Sequence, residues 1–379
     1  EILGKENGVC GGIGGSQHLC FENVFYSNGI LGGNSPMAAG ISYAFKFKKL
    51  TNIVCLFVGD GTLGQGVFYE TLNLISKNKL PILIIIEDNG ISQSTETKKV
   101  LPGKILNKIK SFDIEAMSLE YPDLFELNKI SKKIIKDVRS KTKPFCLIIK
   151  SNRIGPHSKG DDTRTKKELE IINKNDTLEK TSIKLDNNQQ ISLIKKKSEE
   201  FIRNLYFECL NEKITNINSK IKNSQKTNTL KINSAEILSK IKNKRFSEII
   251  NNTLHNLFEE NNKILLIGED INDPYGGAFK ISKGLSTKFP KRVYSSPISE
   301  AGIIGLATGM AIQGLNPIVE IMFGDFLGIG FDQILNNACK FRKMYNNKVS
   351  VPLIIRTPMG GRRGYGPTHS QTLEKHFLG

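Results

Sequence analysis

The chain has 379 residues, 39% hydrophobic and 24% charged, a balance that fits two or three folded domains rather than a disordered or fibrous protein. No apolar run approaches the roughly 20 residues a membrane-spanning helix needs, and the N-terminus shows no signal-peptide pattern. Cysteines at 10, 20, 55, 146, 209 and 339 form no C-x-x-C pair, which argues against a disulfide framework or zinc site and for a reducing cytoplasm. The net charge of +17 invites a nucleic-acid partner, but residues 165–245 hold 18 Lys/Arg against 10 Asp/Glu without interleaved aromatics or a binding motif. A solvated basic face is the better reading, with neither nucleic acid nor membrane as partner.

From 53 to 150 the pattern alternates strand and helix. "NIVCLFV", "LPILIIIEDN" and "PFCLIIKSNR" read as strands, and "QGVFYETLNLISKN" as a helix, so this is βαβ material with a parallel sheet. Between the first strand and the helix, "LFVGDGTLGQG" places Gly59, Gly61 and Gly64 as G-x-G-x-x-G, and the next strand ends in Glu87-Asp88. That is the form of a dinucleotide turn. Asp60, however, fills the slot between the first two glycines, where a carboxylate would repel a pyrophosphate approached by bare N–H groups. A carboxylate beside a diphosphate makes sense when a hard divalent cation lies between them. Asn89, after the next strand, offers a second oxygen. Mg²⁺ would complete an octahedron with a backbone carbonyl, water and diphosphate oxygens. On these residues alone, a plain structural turn and a dinucleotide site both stay open.

Further along, "ISLIKKKSEEFIRNLYFECL" puts Ile194, Phe201, Leu205 and Cys209 near helical spacing and predicts a surface helix with one buried stripe. Residues 213–243 are polar and of low complexity and read as a flexible linker. A second alternating region begins near 244. "KILLIGED", "NPIVEIM" and "VPLIIRTP" are its strands, and "AGIIGLATGMAIQG" and "FDQILNNACKFRKMY" its helices. Small residues at 301, 302, 305, 307, 309 and 311 let the first of these helices pack closely.

"GDGTLGQG…EDN" has the form of the thiamine-diphosphate signature. "GGIGGSQHLCFENVFYSNGILGGNSPMAAGISYAF" and "RIGPHSKGDDTR" resemble the α half of the thiamine-dependent dehydrogenase component of 2-oxo acid dehydrogenase complexes. The stretch from "GEDINDPYGGAFK" through "NNACKFR", and "VPLIIRTPMGGRRGYGPTHSQTLE", resemble the β half. The resemblance covers nearly everything outside 165–243 and implies an α–β fusion. The implied fold class is α/β. It has two thiamine-diphosphate-binding-type domains, 1–212 and 244–379, each a mostly parallel sheet flanked by helices, joined by the polar linker 213–243. The first lacks an N-terminal piece of the family pattern and the second a C-terminal domain.

The resemblance also implies residue roles. Asp60, Asn89 and the carbonyl of Ile91 would ligate Mg²⁺ on thiamine diphosphate, with Gly59, Gly61, Gly29 and Leu31 shaping the pocket. Glu300 would hydrogen-bond the aminopyrimidine ring nitrogen and promote its imino form, and Phe326 would stack on that ring. His157 and His369 would line the site, touch cofactor or substrate, and assist acyl transfer. His18 matches a family position of less defined role, and Ser158 matches a site phosphorylated in some relatives. Read from the residues alone, Glu300 is an acid in a helix first turn, Phe326 and Leu31 are core, and the histidines are solvated loop residues. The implied activity is oxidative decarboxylation of a 2-oxo acid with transfer of the acyl group to the lipoyl group of a dihydrolipoyl acyltransferase. Fused chains lean toward 2-oxoisovalerate over pyruvate, and a homodimer is expected. The rival readings are a transketolase-like transferase, a dinucleotide oxidoreductase, and a truncated binding module without catalysis.

Overall fold

The runs of β-branched and leucine residues become strands, as their composition dictates. The computed structural model describes every residue except 23, 159, 186–187, 217–243, 363 and 379. Two units divide the chain, one of Asn28–Asn211 and one of Glu1–Ser27 with Glu212–Gly379. This differs from the expected division at 212 and 244, because the first 27 residues belong with the C-terminal part.

That N-terminal strip carries a short antiparallel pair, β1 (Cys20–Phe21) and β2 (Phe25–Tyr26). Its glycine-rich loop turns around the Glu1 carboxylate, which accepts from the backbone N–H groups of Cys10, Gly12 and Gly14 at 2.7, 2.9 and 2.7 Å. Lys5 bridges to Ile214, and Thr215 N–H donates to the Gly4 carbonyl at 2.9 Å. Residues 213–216 are therefore packed against the strip rather than forming the start of a tether. The rest of the expected linker, 217–243, lies outside the described residues.

In the 28–211 unit, α1 (Asn34–Phe47), β3 (Val54–Gly59), α2 (Gly66–Lys77), β4 (Ile82–Asp88), β5 (Glu115–Glu120), α3 (Leu124–Lys141) and β6 (Phe145–Lys150) form a parallel sheet in the order β3-β4-β6-β5 with helices beside it. β4 pairs on both sides and buries Ile82 to Ile86 without alternation, as a central parallel strand must. Leu83, Ile85, Leu119 and Leu147 pack with Ile134 and Val138 of α3. The Asp123 carboxylate caps α3, accepting from Phe125 and Glu126 N–H at 2.9 Å each. α4 (Asn188–Asn211) ends this unit. Its predicted stripe is not buried: Ile194, Phe201 and Leu205 are exposed, and Cys209 is half-buried. Helical spacing marks an apolar face but not what covers it.

The other unit continues through α5 (Phe246–Glu260), β7 (Ile264–Gly268), β8 (Val293–Ser295), α6 (Glu300–Ile312), β9 (Asn316–Glu320), α7 (Cys339–Met344) and β10 (Ile354–Arg356). Its parallel sheet runs β10-β9-β7-β8. Leu254 and Phe258 of α5 close one face over Ile264, Leu266, Val293 and Ile318. α6 is buried from Glu300 to Ala311, so it needs no polar face, and its small residues permit that burial. The predicted helix over 331–345 starts at 331 and runs to 344, widening to a π-helix over Gln333–Ala338 before α7. Tyr345, fully buried, donates its hydroxyl to the Ser27 carbonyl at 3.0 Å and so pins the end of the N-terminal strip.

Candidate active site

In the 28–211 unit, the carboxyl end of β3 runs into a tight 3₁₀ turn, Asp60–Gly64, and β4 ends beside it in Asp88 and Asn89. Parallel sheets place binding loops at this edge. Asp60 is buried and accepts a hydrogen bond from the Thr97 hydroxyl, while its other oxygen takes the Gly61 N–H at 3.1 Å. Burial, reinforced by the Asp60 charge, pushes the Asp88 carboxyl up. Two neighbouring carboxyls at a sheet edge are what a cation would relieve.

The Asn89 side-chain oxygen accepts from Ile91 N–H at 3.0 Å, and Ile91 bridges to Glu96 around a small loop. Thr97 N–H closes that loop onto the Gly90 carbonyl at 2.9 Å. A Cβ at Gly59 would enter open space. One at Gly61 would lie 3.1 Å from Ser92 Oγ and 3.9 Å from Leu31 Cδ1, so the glycine sits close against that loop and Leu31. Leu31 is 53% exposed, and Gly29 sits in the same exposed stretch. Asp60, Asn89, Ile91, Gly61 and Leu31 thus share one edge.

Arg153 holds this edge from beneath, donating Nη1 to the Ser92 and Gln93 carbonyls at 2.8 and 2.9 Å. Arg164 in turn donates to the Arg153 carbonyl, to the Gly155 carbonyl at 2.9 Å, and to Asp162 through two contacts of 2.8 and 2.7 Å. The guanidinium holds the Asp162 carboxyl down to about 2. His157 rides on the loop so framed. Its Nδ1 lies 2.9 Å from Ser158 Oγ and 3.7 Å from Asp161, and Ser158 N–H donates to both Asp161 oxygens at 2.9 Å. His18 belongs to the other unit.

In the unit that contains α6, Glu300 opens the helix and is buried. Glu269, just past β7, is also buried and accepts from Ser299 N–H at 3.2 Å. Burial first, then the Glu300 charge, pushes the Glu269 carboxyl up to about 7. Two acids side by side out of water cannot both ionise cheaply.

Phe326 lies in the turn Gly324–Gly328. His369 meets it edge-on at 5.2 Å between ring centres and meets Phe323 at 5.0 Å. Asp325 clamps the histidine's loop, accepting the Gln371 side-chain amide at 2.8 Å. At Gly330 a Cβ would meet Ile304 Cδ1 at 2.4 Å and the Glu300 carbonyl at 3.5 Å, so glycine lets the Phe326 turn approach the start of α6. Phe326 and His369 are thus in ring contact, and the chain just past their turn reaches the start of the helix that Glu300 opens. Behind them Glu320 pairs with Arg356, yet burial outweighs the guanidinium and pushes its carboxyl up to about 7.

Residues 1–223 match the family described as the dehydrogenase E1 component. The chain belongs to that family. Residues 242–378 match the transketolase pyrimidine-binding domain, so E1 α-like and β-like parts stand in one chain. Among its relatives, the pyruvate dehydrogenase E1 component subunit alpha of Rickettsia prowazekii is 34% identical over 211 residues, 54% of this chain and 65% of that one. The pyruvate dehydrogenase E1 component subunit beta of Leifsonia xyli is 41% identical over 116 residues, 30% of this chain and 34% of that one. The beta subunit of an acetoin:2,6-dichlorophenolindophenol oxidoreductase from Bacillus subtilis is 39% identical, over 34% of this chain and 41% of its own length. The chain therefore spans about a third to two thirds of the curated relatives it matches. A transketolase from Campylobacter jejuni shares the fold at TM-score 0.52 and 15% identity, over 93% of this chain and 55% of that one.

Together the E1-type and pyrimidine-binding domains imply thiamine diphosphate as the cofactor, with a divalent metal typical. The residues fit it. Among the described residues there is no cluster of three or more His, Cys, Asp or Glu able to hold a metal alone. The edge at Asp60 instead offers one carboxylate, one amide oxygen and one carbonyl, a set that a diphosphate and water would complete around a hard cation. Sequence reading missed Thr97, Ser92, Arg153, Arg164 and Glu269. Only Glu269 left a trace, as the first acid after a strand in "GED".

Proposed function

We propose that this E1 chain carries out thiamine-diphosphate-dependent oxidative decarboxylation of a 2-oxo acid, as an oxidoreductase that passes the acyl group to the lipoyl group of a dihydrolipoyl acyltransferase. The carrying observation is the buried Asp60 at the carboxyl edge of one sheet, beside a second carboxyl and an oxygen-rich loop. Asp60, Asn89 and the Ile91 carbonyl hold Mg²⁺. Gly59 and Gly61 leave room for the diphosphate, and Gly29 and Leu31 border it. Glu300 accepts or donates the proton at the pyrimidine nitrogen, Phe326 covers the ring, and His157 and His369 serve proton transfer around the acyl group. Once bound, thiamine diphosphate supplies the carbon nucleophile and the electron sink for loss of CO₂.

For the substrate, the fused arrangement favours 2-oxoisovalerate, while relatives named as pyruvate dehydrogenases favour pyruvate. Pyruvate is the first to assay and 2-oxoisovalerate the second. The working form is a homodimer of the fused chain in the cytoplasm. Among the described residues no helix is long and apolar enough to cross a membrane.

The test is calorimetric titration with thiamine diphosphate, with and without Mg²⁺, on the wild type and Asp60→Ala. Metal-dependent binding that weakens about 100-fold in the variant supports the assignment. Binding of a nicotinamide dinucleotide instead, or equal affinity with and without metal, overturns it.

A further inference from the structure

His369 sits in a stretch that no regular element holds. Between Thr357 and Leu373 the described residues form neither helix nor strand. Gly364 and Gly366, on either side of Tyr365, take φ of +72° and +80°, and glycine is the residue that fixes its own backbone least. The Gly360 N–H donates to the Gln371 carbonyl at 3.2 Å, which closes the stretch on itself without anchoring it elsewhere. What fixes the imidazole comes from outside the stretch.

The turn Gly324–Gly328 and the residue before it supply that hold. Phe323 and Phe326 meet the imidazole edge-on at 5.0 and 5.2 Å, with interplanar angles of 70° and 83°. Asp325, between them in sequence, turns its carboxylate to Gln371, two residues past the histidine. Its Oδ1 accepts the Gln371 side-chain amide at 2.8 Å and the Gln371 backbone N–H at 3.4 Å. The turn is itself tied to the chain after β10, Gly324 N–H donating to the Pro358 carbonyl at 2.9 Å. Ring contacts set a distance but tolerate sliding, whereas a hydrogen bond to a carboxylate sets position along the chain. Gln371 is exposed, so core packing does not account for this bond.

We infer that Asp325 is a positioning residue for His369: by gripping Gln371 it holds the imidazole against Phe326 and sets its reach to the acyl group. The inference rests on the role given to His369 in the proposed function. Misplacing a reacting group by about 1 Å can cost roughly 100-fold in rate. Loss of the grip therefore acts on the step that uses the histidine and spares cofactor binding.

The experiment reads position and rate separately on the full chain. Its variants are Asp325→Ala; Asp325→Asn, which keeps an acceptor oxygen; Gln371→Met, which removes the donor but keeps the length; and the double Asp325→Ala with Gln371→Met. Position is read by NMR of the imidazole C–H protons, with His369→Gln to assign the signal that the two phenyl rings displace. Rate is read with thiamine diphosphate, Mg²⁺ and a 2-oxo acid, once as acylation of a lipoylated acyltransferase domain and once as reduction of a dye that needs no acyl transfer.

Asp325→Ala and Gln371→Met should move the His369 signal toward that of an exposed histidine and slow acyl transfer roughly 100-fold. Dye reduction and cofactor affinity should stay within about threefold of wild type, as should acyl transfer in Asp325→Asn, and the double should be no slower than either single. An unmoved signal in both singles, equal loss of dye reduction and acyl transfer, or Asp325→Asn as slow as Asp325→Ala overturns the inference. Gln371→Met changes an exposed side chain, so it carries the test should Asp325→Ala not fold. A wild type that neither binds the cofactor nor turns over a 2-oxo acid would sink the proposed function, and an unmoved NMR signal would then sink the grip separately.

Discussion

The two carboxylate sites use burial in opposite ways. At Asp60 the acid is sunk into a turn but furnished with donors, the Thr97 hydroxyl and the Gly61 N–H. At Glu300 the acid sits beside Glu269, whose carboxyl is pushed up to about 7, so the pair is held short of full ionisation. The first arrangement suits the proposed cation site and the second the proposed proton transfer. The difference lies in what surrounds each carboxyl rather than in the residue type.

Substitution can sharpen or break this contrast. Glu300→Gln should cost turnover of the 2-oxo acid roughly 10²–10⁴-fold while leaving metal-dependent cofactor affinity within about tenfold. Equal loss of both, by stopped-flow and calorimetry, would mean the two sites are not separable in role. Thr97→Val removes the hydroxyl donated to Asp60 and should weaken Mg²⁺ roughly tenfold, measured as the metal concentration for half-maximal cofactor binding.

Glu269→Gln should act on the pH dependence of stability. The native carboxyl is raised from 4.5 to about 7, so the folded chain binds a proton that the unfolded chain releases. Its contribution is fully present below about 4.5, declines as pH rises toward 7, and is gone above that. Glu320, also raised to about 7, acts in the same sense. Melting temperatures from pH 5 to 8 should fall less steeply in Glu269→Gln than in the wild type; parallel curves would contradict the burial argument. The smallest effect expected is that of Tyr345→Phe, which loses the bond to Ser27 and should cost about 1 kcal/mol in urea unfolding.

The parts of this picture legible beforehand were those written locally. Asp60 between glycines and the runs of β-branched residues each carry their meaning in the sequence around them, and Asn89 stands just after the next strand. Glu300 was legible as a helix-opening acid, but Glu269 reaches it only because β7 and α6 fold side by side. Thr97 and Arg164 act through loops that no spacing rule foresees. The stripe on α4 was misread for a related reason, since periodicity reports a face and says nothing of its cover. The N-terminal strip groups with the later part of the chain because Lys5 and Ser27 find their partners at positions 214 and 345.

That strip bears on how the chain could be divided. A cut anywhere in 217–243 makes two polypeptides but does not part the two units, because residues 1–27 and 212–216 leave with the first piece while the sheet that completes their unit stays with the second. The pieces would behave as complementing fragments, each lacking part of one shared unit.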